Sequence, residues 1–406
     1  MKINRPKISF VKPLIVLSIA LLSGFTGLTT VQATEQSATQ SALTKQQLKA
    51  LNTVFKKLRK DSQLVGLQGA VFAGGKIVTQ VNLGFADLEH NVPVNNNTRF
   101  EIASITKSFT GLGLLLLERQ GKIDLDKPIQ TYVPSFPVKT QGTITARLLT
   151  GNLSGIRSYN KVERTPAFYA THYDDVVVAL DLFKDDPLLF TPGEKHKYTS
   201  YGYNLLAAAI QGASGERYRD YIQRTILQPL GLKNTGFIDV RKPMKHRSRM
   251  YSFVEPLTRA VQDHLSVIPT LEHSYNMGGG NMYSNAADLV TFGSQFLQAG
   301  LESKGLVSKD ILQQIFTPQY TKSGQTSYVS NGWMVGGFDH SVKYLVMSGS
   351  YPGVQAHLIV YPTQGVAFAY ATNTWGKEGG ASFGPDGSVT RLAHRVGEIL
   401  ASSQTK

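Results

Sequence analysis

The stretch FEIASITKSFTGLGLLLLERQG runs from Phe100 to Gly121 and sets a hydroxyl, Ser104, three residues before an amine, Lys107. Phe100 to Ala103 reads as a short extended run. Ser108 to Gln120 reads as a helix carrying Phe109, Leu112 and Leu114 to Leu117, with Gly121 at its C-terminal stop. Positions i and i+3 of a helix share a face, so Ser104 and Lys107 stand side by side. They do so near a helix start, where unpaired N–H groups and the dipole favour developing negative charge. A free hydroxyl is a poor nucleophile until a neighbouring base takes its proton. The spacing therefore predicts covalent acyl transfer at Ser104.

Outward from this segment the hydrophobic period changes twice. Leu43 to Lys60 reads as an amphipathic helix, with a Thr44/Gln47 capping box and a stripe of Leu48, Leu51, Val54, Phe55 and Leu58. Gly69 to Gly84 alternates about Gly74-Gly75, the pattern of a β-hairpin. From Ser104 to about residue 325 the pattern is mostly helical. Four strands then follow, at Trp333–Phe338, Val342–Met347, Val354–Tyr361 and Val366–Thr372, and a helix over Ser388–Ala401. Strands at both ends with helices between them predict an α+β fold. Its antiparallel sheet, flanked by helices, comes from about 43–103 and 326–401, and the mainly helical region of about 104–325 is inserted between. Residues 402–406 read as a C-terminal tail.

The N-terminus reads as an export signal over residues 1–33. Lys2, Arg5, Lys7 and Lys12 precede the apolar run Pro13 to Phe25, and Val31-Gln32-Ala33 is a small-residue cleavage site. Residues 34–42 read as a flexible lead. The expected location is exported, periplasmic or secreted; an uncleaved signal would act as an N-terminal membrane anchor. The chain has no Cys, so the fold rests on its core without disulfides. The formal net charge is +14, and the part beyond the signal is still basic. That charge fits an anionic envelope polymer or membrane surface as a partner. The densest basic run, Arg241 to Arg249, has no interleaved aromatics, which argues against nucleic acid and for a solvated loop. The nine histidines show no metal-ligand spacing, so neither a metal nor another cofactor is expected.

Further segments fit the Ser104 reading: Tyr198-Thr199-Ser200 before an apolar helix, Ser154-Gly155-Ile156, Gly278-Gly279-Gly280 ahead of Asp288-Leu289, and Met347-Ser348-Gly349-Ser350 between two late strands. With them the chain resembles the serine β-lactamase and penicillin-binding-protein superfamily, in its class C β-lactamase-like branch, over about Lys45 to Ala401. The resemblance implies that Ser104 is the acylated nucleophile, Lys107 the amine that deprotonates it, and Tyr198 the phenol that shuttles the proton. Such a Tyr is expected to have a depressed pKa, supplied by a neighbouring ammonium. The backbone N–H groups of Ser104 and Ser350 match the oxyanion hole. Ser200, Met347, Ser348 and Gly349 match substrate-binding positions. Two of these depart from the family pattern, Ser200 standing for Asn and Met347 for Lys or His.

A Met at that place predicts a pocket favouring uncharged acyl compounds over free carboxylates. The implied activity is hydrolysis of an amide or ester, in a cell-wall peptide, a β-lactam or a small ester; the alternative is a non-catalytic envelope-binding protein that keeps the fold. Gly380-Ala381-Ser382-Phe383-Gly384 matches a G-x-S-x-G elbow, but its glycine- and proline-rich flanks read as a loop. His357 lies in an apolar strand and reads as a core or site-edge residue, Trp333 as sheet core, and Tyr351 as a pocket aromatic.

Overall fold

Thr44 starts the first helix as predicted: Gln47 N donates to Thr44 Oγ1 at 3.2 Å, and the Gln47 side chain accepts from Thr44 N at 2.9 Å. This computed structural model describes residues 43–160, 163, 165–297, 305–337, 342–376 and 387–402. The expected signal, the lead, the Gly380–Gly384 segment and the tail beyond Ser402 lie outside the described residues. Helix α1 (Lys45–Asp61) leads into strands β1 (Gly66–Ala73) and β2 (Lys76–Asp87), joined at Gly74 and Gly75. Both glycines take positive φ, 55° and 79°, which a two-residue hairpin turn requires. Strand β3 (Val92–Pro93) pairs with β2.

Helices α2 (Thr106–Arg119), α3 (Ser200–Ser214) and α4 (Ala286–Ser294) follow. The chain then returns through β4 (Val329–Ser330), β5 (Trp333–Gly336), β6 (Tyr344–Tyr351), β7 (Val354–Tyr361) and β8 (Val366–Thr372) to helix α5 (Ser388–Ala401). One eight-stranded antiparallel sheet results, in the order β4-β5-β6-β7-β8-β1-β2-β3. Its two halves meet where β8 pairs with β1, Ala70 opposite Ala369. The α+β architecture with an antiparallel sheet and flanking helices is thus as expected.

Alternation along β8 divides the core into two layers. Ala367, Ala369 and Ala371 face the cluster shared with α2, α3 and α4, while Val366, Phe368 and Tyr370 face α1 and α5. On the second face Phe55 stacks on Phe368, ring centroids 4.6 Å apart. Trp333 is fully buried and packs against Phe292 and Phe296.

The region between the sheet halves is less uniformly helical than its period suggests. Met250–Val254 and Val261–Ile268 form an antiparallel pair, extended by Thr374–Trp375. The run Met250-Tyr251-Ser252-Phe253-Val254 is rich in aromatic and β-branched residues, which favour a strand. A second small sheet joins Phe100–Glu101, Met282–Ser284 and Gly236–Phe237. The basic run is largely ion-paired: Arg247 meets buried Glu101 at 2.5 Å, Arg241 meets Asp239 and Asp174 at 3.1 Å, and Arg249 meets Glu89 at 3.2 Å. Among the described residues no helix is long and apolar enough to cross a membrane.

Candidate active site

The small sheet delivers Ser104. Phe100 and Glu101 pair with Ser284 and Tyr283, and Ile102 N donates to Met282 O at 3.0 Å. A single 3₁₀ turn, Ala103–Ile105, then feeds α2. Ala103 takes φ +42°, a region a Cβ-bearing residue adopts only under local strain, so the backbone bends sharply just before Ser104. Gly332 braces the far side of α2. Its φ is +82°, and a Cβ there would lie 2.1 Å from Lys107 O, so only glycine permits this approach.

Lys107 is fully buried. Its Nζ lies 3.2 Å from Ser104 Oγ, 3.2 Å from Ser200 Oγ and 2.6 Å from Gly279 O. Among the described residues no carboxylate pairs with it, and burial pulls the amine from its usual range down to about 7. The Tyr198 hydroxyl donates to Ser104 Oγ at 2.9 Å. Lys107 Nζ sits 4.9 Å from the Tyr198 ring centre and 5.5 Å from that of Tyr203. The phenol of Tyr198 differs from expectation: burial pushes its pKa up, because desolvation outweighs the hydrogen bond to Ser104. It is a protonated donor.

The third motif meets this turn at an open strand edge. β5 pairs with β6 only over Tyr344–Val346, and the Ile102–Ser104 backbone lies against the strand further along. A Cβ at Gly349 would be 2.0 Å from Ile102 O and 2.8 Å from Ser104 N. Glycine is what lets the two backbones touch. Ser350 then borders the same cleft as Ser104.

The other three candidate substrate contacts stand elsewhere. Met347 shares the helical-layer face with Gly349 but is covered, 1% exposed within the apolar cluster. Ser348 points to the opposite face, as strand alternation demands, where its Oγ donates to Ala356 O at 3.2 Å and lies 3.5 Å from His357 Nε2. Ser200 is 1% exposed and touches Lys107 instead of bordering the cleft. His357 is buried against Tyr370, and desolvation lowers its pKa to about 3, which leaves it neutral.

Of the cleft wall, Tyr351 alone was expected as a pocket aromatic. Tyr159, His273, Tyr275, Asn276 and Tyr351 line it together with Ser104 and Ser350. For the others the one available signal is the polar and aromatic run His273-Ser274-Tyr275-Asn276, just ahead of the three glycines. Those glycines position the amine. Gly279 O accepts from Lys107, and Gly278 O accepts from Thr110 Oγ1 at 2.6 Å.

A family model described as Beta-lactamase matches residues 51–386. The chain is 30% identical over 304 residues to the mitochondrial serine beta-lactamase-like protein LACTB of Homo sapiens, covering 58% of this chain and 54% of that protein. It is 28% identical over 339 residues to penicillin-binding protein 4* of Bacillus subtilis, covering 80% of this chain and 71% of that one. The chain thus spans about half the length of the first of these curated relatives. Among solved structures, the D-amino acid amidase of Ochrobactrum anthropi superposes with a TM-score of 0.70 at 22% identity, over 88% of this chain and 99% of that one, a likeness of fold.

Proposed function

The chain belongs to the beta-lactamase family, and from that premise we propose that it is a serine hydrolase acting on amide or ester acyl compounds through an acyl-enzyme at Ser104. The hydrogen-bond set around Lys107 Nζ carries this reading. A neutral amine has two N–H donors and one lone pair. Gly279 O and Ser200 Oγ take the two hydrogens, which leaves the lone pair for the Ser104 hydroxyl at 3.2 Å. An amine near its midpoint at neutral pH is suited to take that proton.

In this mechanism Ser104 Oγ bonds to the substrate carbonyl carbon as its proton passes to Lys107 Nζ. The Tyr198 hydroxyl gives its proton to the departing oxygen or nitrogen as that bond breaks, and the Lys107 ammonium restores it. Water then cleaves the acyl-enzyme and frees Ser104. The N–H groups of Ser104 and Ser350, brought together by Gly349, are the donors for the developing oxyanion; such a donor contributes on the order of 10²–10³ in rate.

Acyl substrates in the class of cell-wall peptides, β-lactams and small esters fit this chemistry. Export through residues 1–33 belongs to the same proposal; N-terminal sequencing of envelope-purified protein is expected to start near Thr34, and an intact cytoplasmic chain would contradict it. Incubation with a fluorescent penicillin and with a fluorophosphonate, followed by peptide mass mapping, tests the nucleophile. An adduct on Ser104 supports the hydrolase, and no adduct with either probe favours a non-catalytic binding protein.

A further inference from the structure

Helix α1 carries six cations, Lys45, Lys49, Lys56, Lys57, Arg59 and Lys60, against one acid, Asp61. At about 100° per residue, Lys45, Lys49, Lys56 and Lys60 fall within about 60° of the helix circumference and form a row about 22 Å long. All four are exposed, and Lys57 stands at the margin of the row. Leu51, Val54 and Phe55 lie on the opposite side, buried against the sheet, so the row points away from the sheet into solvent. Among the described residues the one ion pair made by these cations is Lys57 with Asp61 at 3.6 Å. The run Arg241 to Arg249, by contrast, finds its acids within the protein. The row also works against the helix that carries it. Lys45 opposes the positive end of the helix dipole, no acid occupies the first turn, and Lys45/Lys49 and Lys56/Lys60 are like charges at i, i+4. Departures from local preference of this kind concentrate at functional surfaces. On the same side of the sheet α5 adds exposed Arg391 and Arg395 against exposed Glu398.

We propose that the Lys45, Lys49, Lys56 and Lys60 face of α1 is a membrane-docking surface, which rests on the anionic headgroups of a lipid bilayer with the Ser104 cleft turned away from it. The chemistry of the row selects a plane of phosphates. A straight line of lysines on a convex helix offers mobile point charges, without the bidentate fork by which Arg fixes a single phosphate. The apolar face of α1 is already taken up by the sheet, so the seating is electrostatic and needs no insertion into the acyl layer. Export through residues 1–33 would deliver α1 to such a surface, because in sequence it follows soon after the apolar run Pro13 to Phe25. Helix α2, which leads on from Ser104, packs on the other face of the sheet. A docked chain therefore opens its cleft to the aqueous side, and the acyl substrate arrives from there and not from the bilayer beneath.

The full chain, a row variant and a control are sedimented with vesicles of phosphatidylcholine and with vesicles of phosphatidylglycerol. The row variant combines Lys45→Gln, Lys49→Gln, Lys56→Gln and Lys60→Gln, which keep helix propensity. The control combines Lys122→Gln, Lys127→Gln, Lys195→Gln and Lys233→Gln, exposed lysines of the helical region, and removes the same charge. All three proteins keep the apolar run upstream, so the comparison isolates the row. At about fivefold per lysine, the unaltered chain is expected to prefer phosphatidylglycerol by about 10²-fold or more, the row variant to lose about that factor, and the control less than about threefold. The preference is expected to collapse at about 1 M salt. The chain has no Cys, so single dyes at Thr53→Cys, beside the row, and Thr258→Cys, next to Pro256 and Arg259 of the cleft, report the orientation. A spin-labelled headgroup is expected to quench the dye at position 53 and not the one at 258. Equal affinity for the two vesicles, or equal losses in the row variant and the control, overturns the docking surface. Row-dependent binding to soluble inorganic polyphosphate with no preference between vesicles overturns lipid in favour of an anionic polymer. Any pattern other than stronger quenching at position 53 overturns the orientation. None of these readouts uses the chemistry of Ser104, so the docking surface and the hydrolase reading stand or fall separately.

Discussion

Lys107 is the residue on which the site turns, and its burial has a consequence for stability that can be measured apart from catalysis. Its folded-state pKa of about 7 lies below the ordinary 10.5. Between those values the unfolded chain binds a proton that the folded chain does not, so stability rises with pH across that window, by about 1.4 kcal/mol per pH unit at most. Below pH 7 the folded chain carries the full cost of a buried ammonium. Lys107→Met is therefore expected to stabilise the fold more at pH 6 than at pH 9, read from urea melts, while cutting kcat/KM by about 10²-fold or more. A variant with the wild-type pH slope would mean that Lys107 does not titrate near 7. Met347 illustrates the opposite case. Met347→Lys buries an ammonium in an apolar cluster, so it is expected to destabilise by several kcal/mol, on the order of other unpaired buried charges, without shifting substrate selectivity. A stable variant with altered preference for carboxylates would place that side chain in the cleft after all.

At the scale of elements, the site is an encounter between a strained turn and an open strand edge. Gly349 is the contact point. Gly349→Ala puts a methyl where Ile102 O and Ser104 N now lie, which forces the strand and the nucleophile turn apart. The expected outcome is a loss of about 10²–10³ in kcat, comparable to losing an oxyanion donor, with the circular dichroism spectrum retained. Full activity in that variant would remove Ser350 from the oxyanion hole. Much of this encounter was legible in the sequence. The capping box of Thr44 and Gln47, the Gly74-Gly75 hairpin, β7, β8 and α5 carry strong local signals, and the i, i+3 spacing of Ser104 and Lys107 was enough to place them together. Depth was not legible. The period of β6 gives the face of Met347 but not what covers it, and the depression expected for Tyr198 ignored desolvation. Tyr351 was legible as a pocket aromatic, whereas His273 and Asn276 come from a segment with no periodicity, and only the fold brings them to the cleft of Ser104.

The whole molecule keeps its chemistry on one face of the sheet and its terminal helices on the other. Gln47 of α1 donates to the carbonyls of Ile399 and Leu400 at 3.1 and 3.2 Å, so the first and last described helices are tied to each other behind the sheet. Phe55→Ala empties the stack on Phe368 and is expected to cost about 3–5 kcal/mol in a denaturant melt, with kcat/KM unchanged well below the transition. A matching loss of activity would show that the two layers are coupled. The most direct test of the central claim, that a buried neutral Lys107 activates Ser104, is the rate of fluorophosphonate labelling of the intact chain followed by mass against pH. The predicted result is a single adduct on Ser104 whose rate rises with a midpoint near pH 7, and whose pH dependence disappears in Lys107→Met. A rate independent of pH between 5 and 9, or the same midpoint in the Lys107→Met chain, would contradict it.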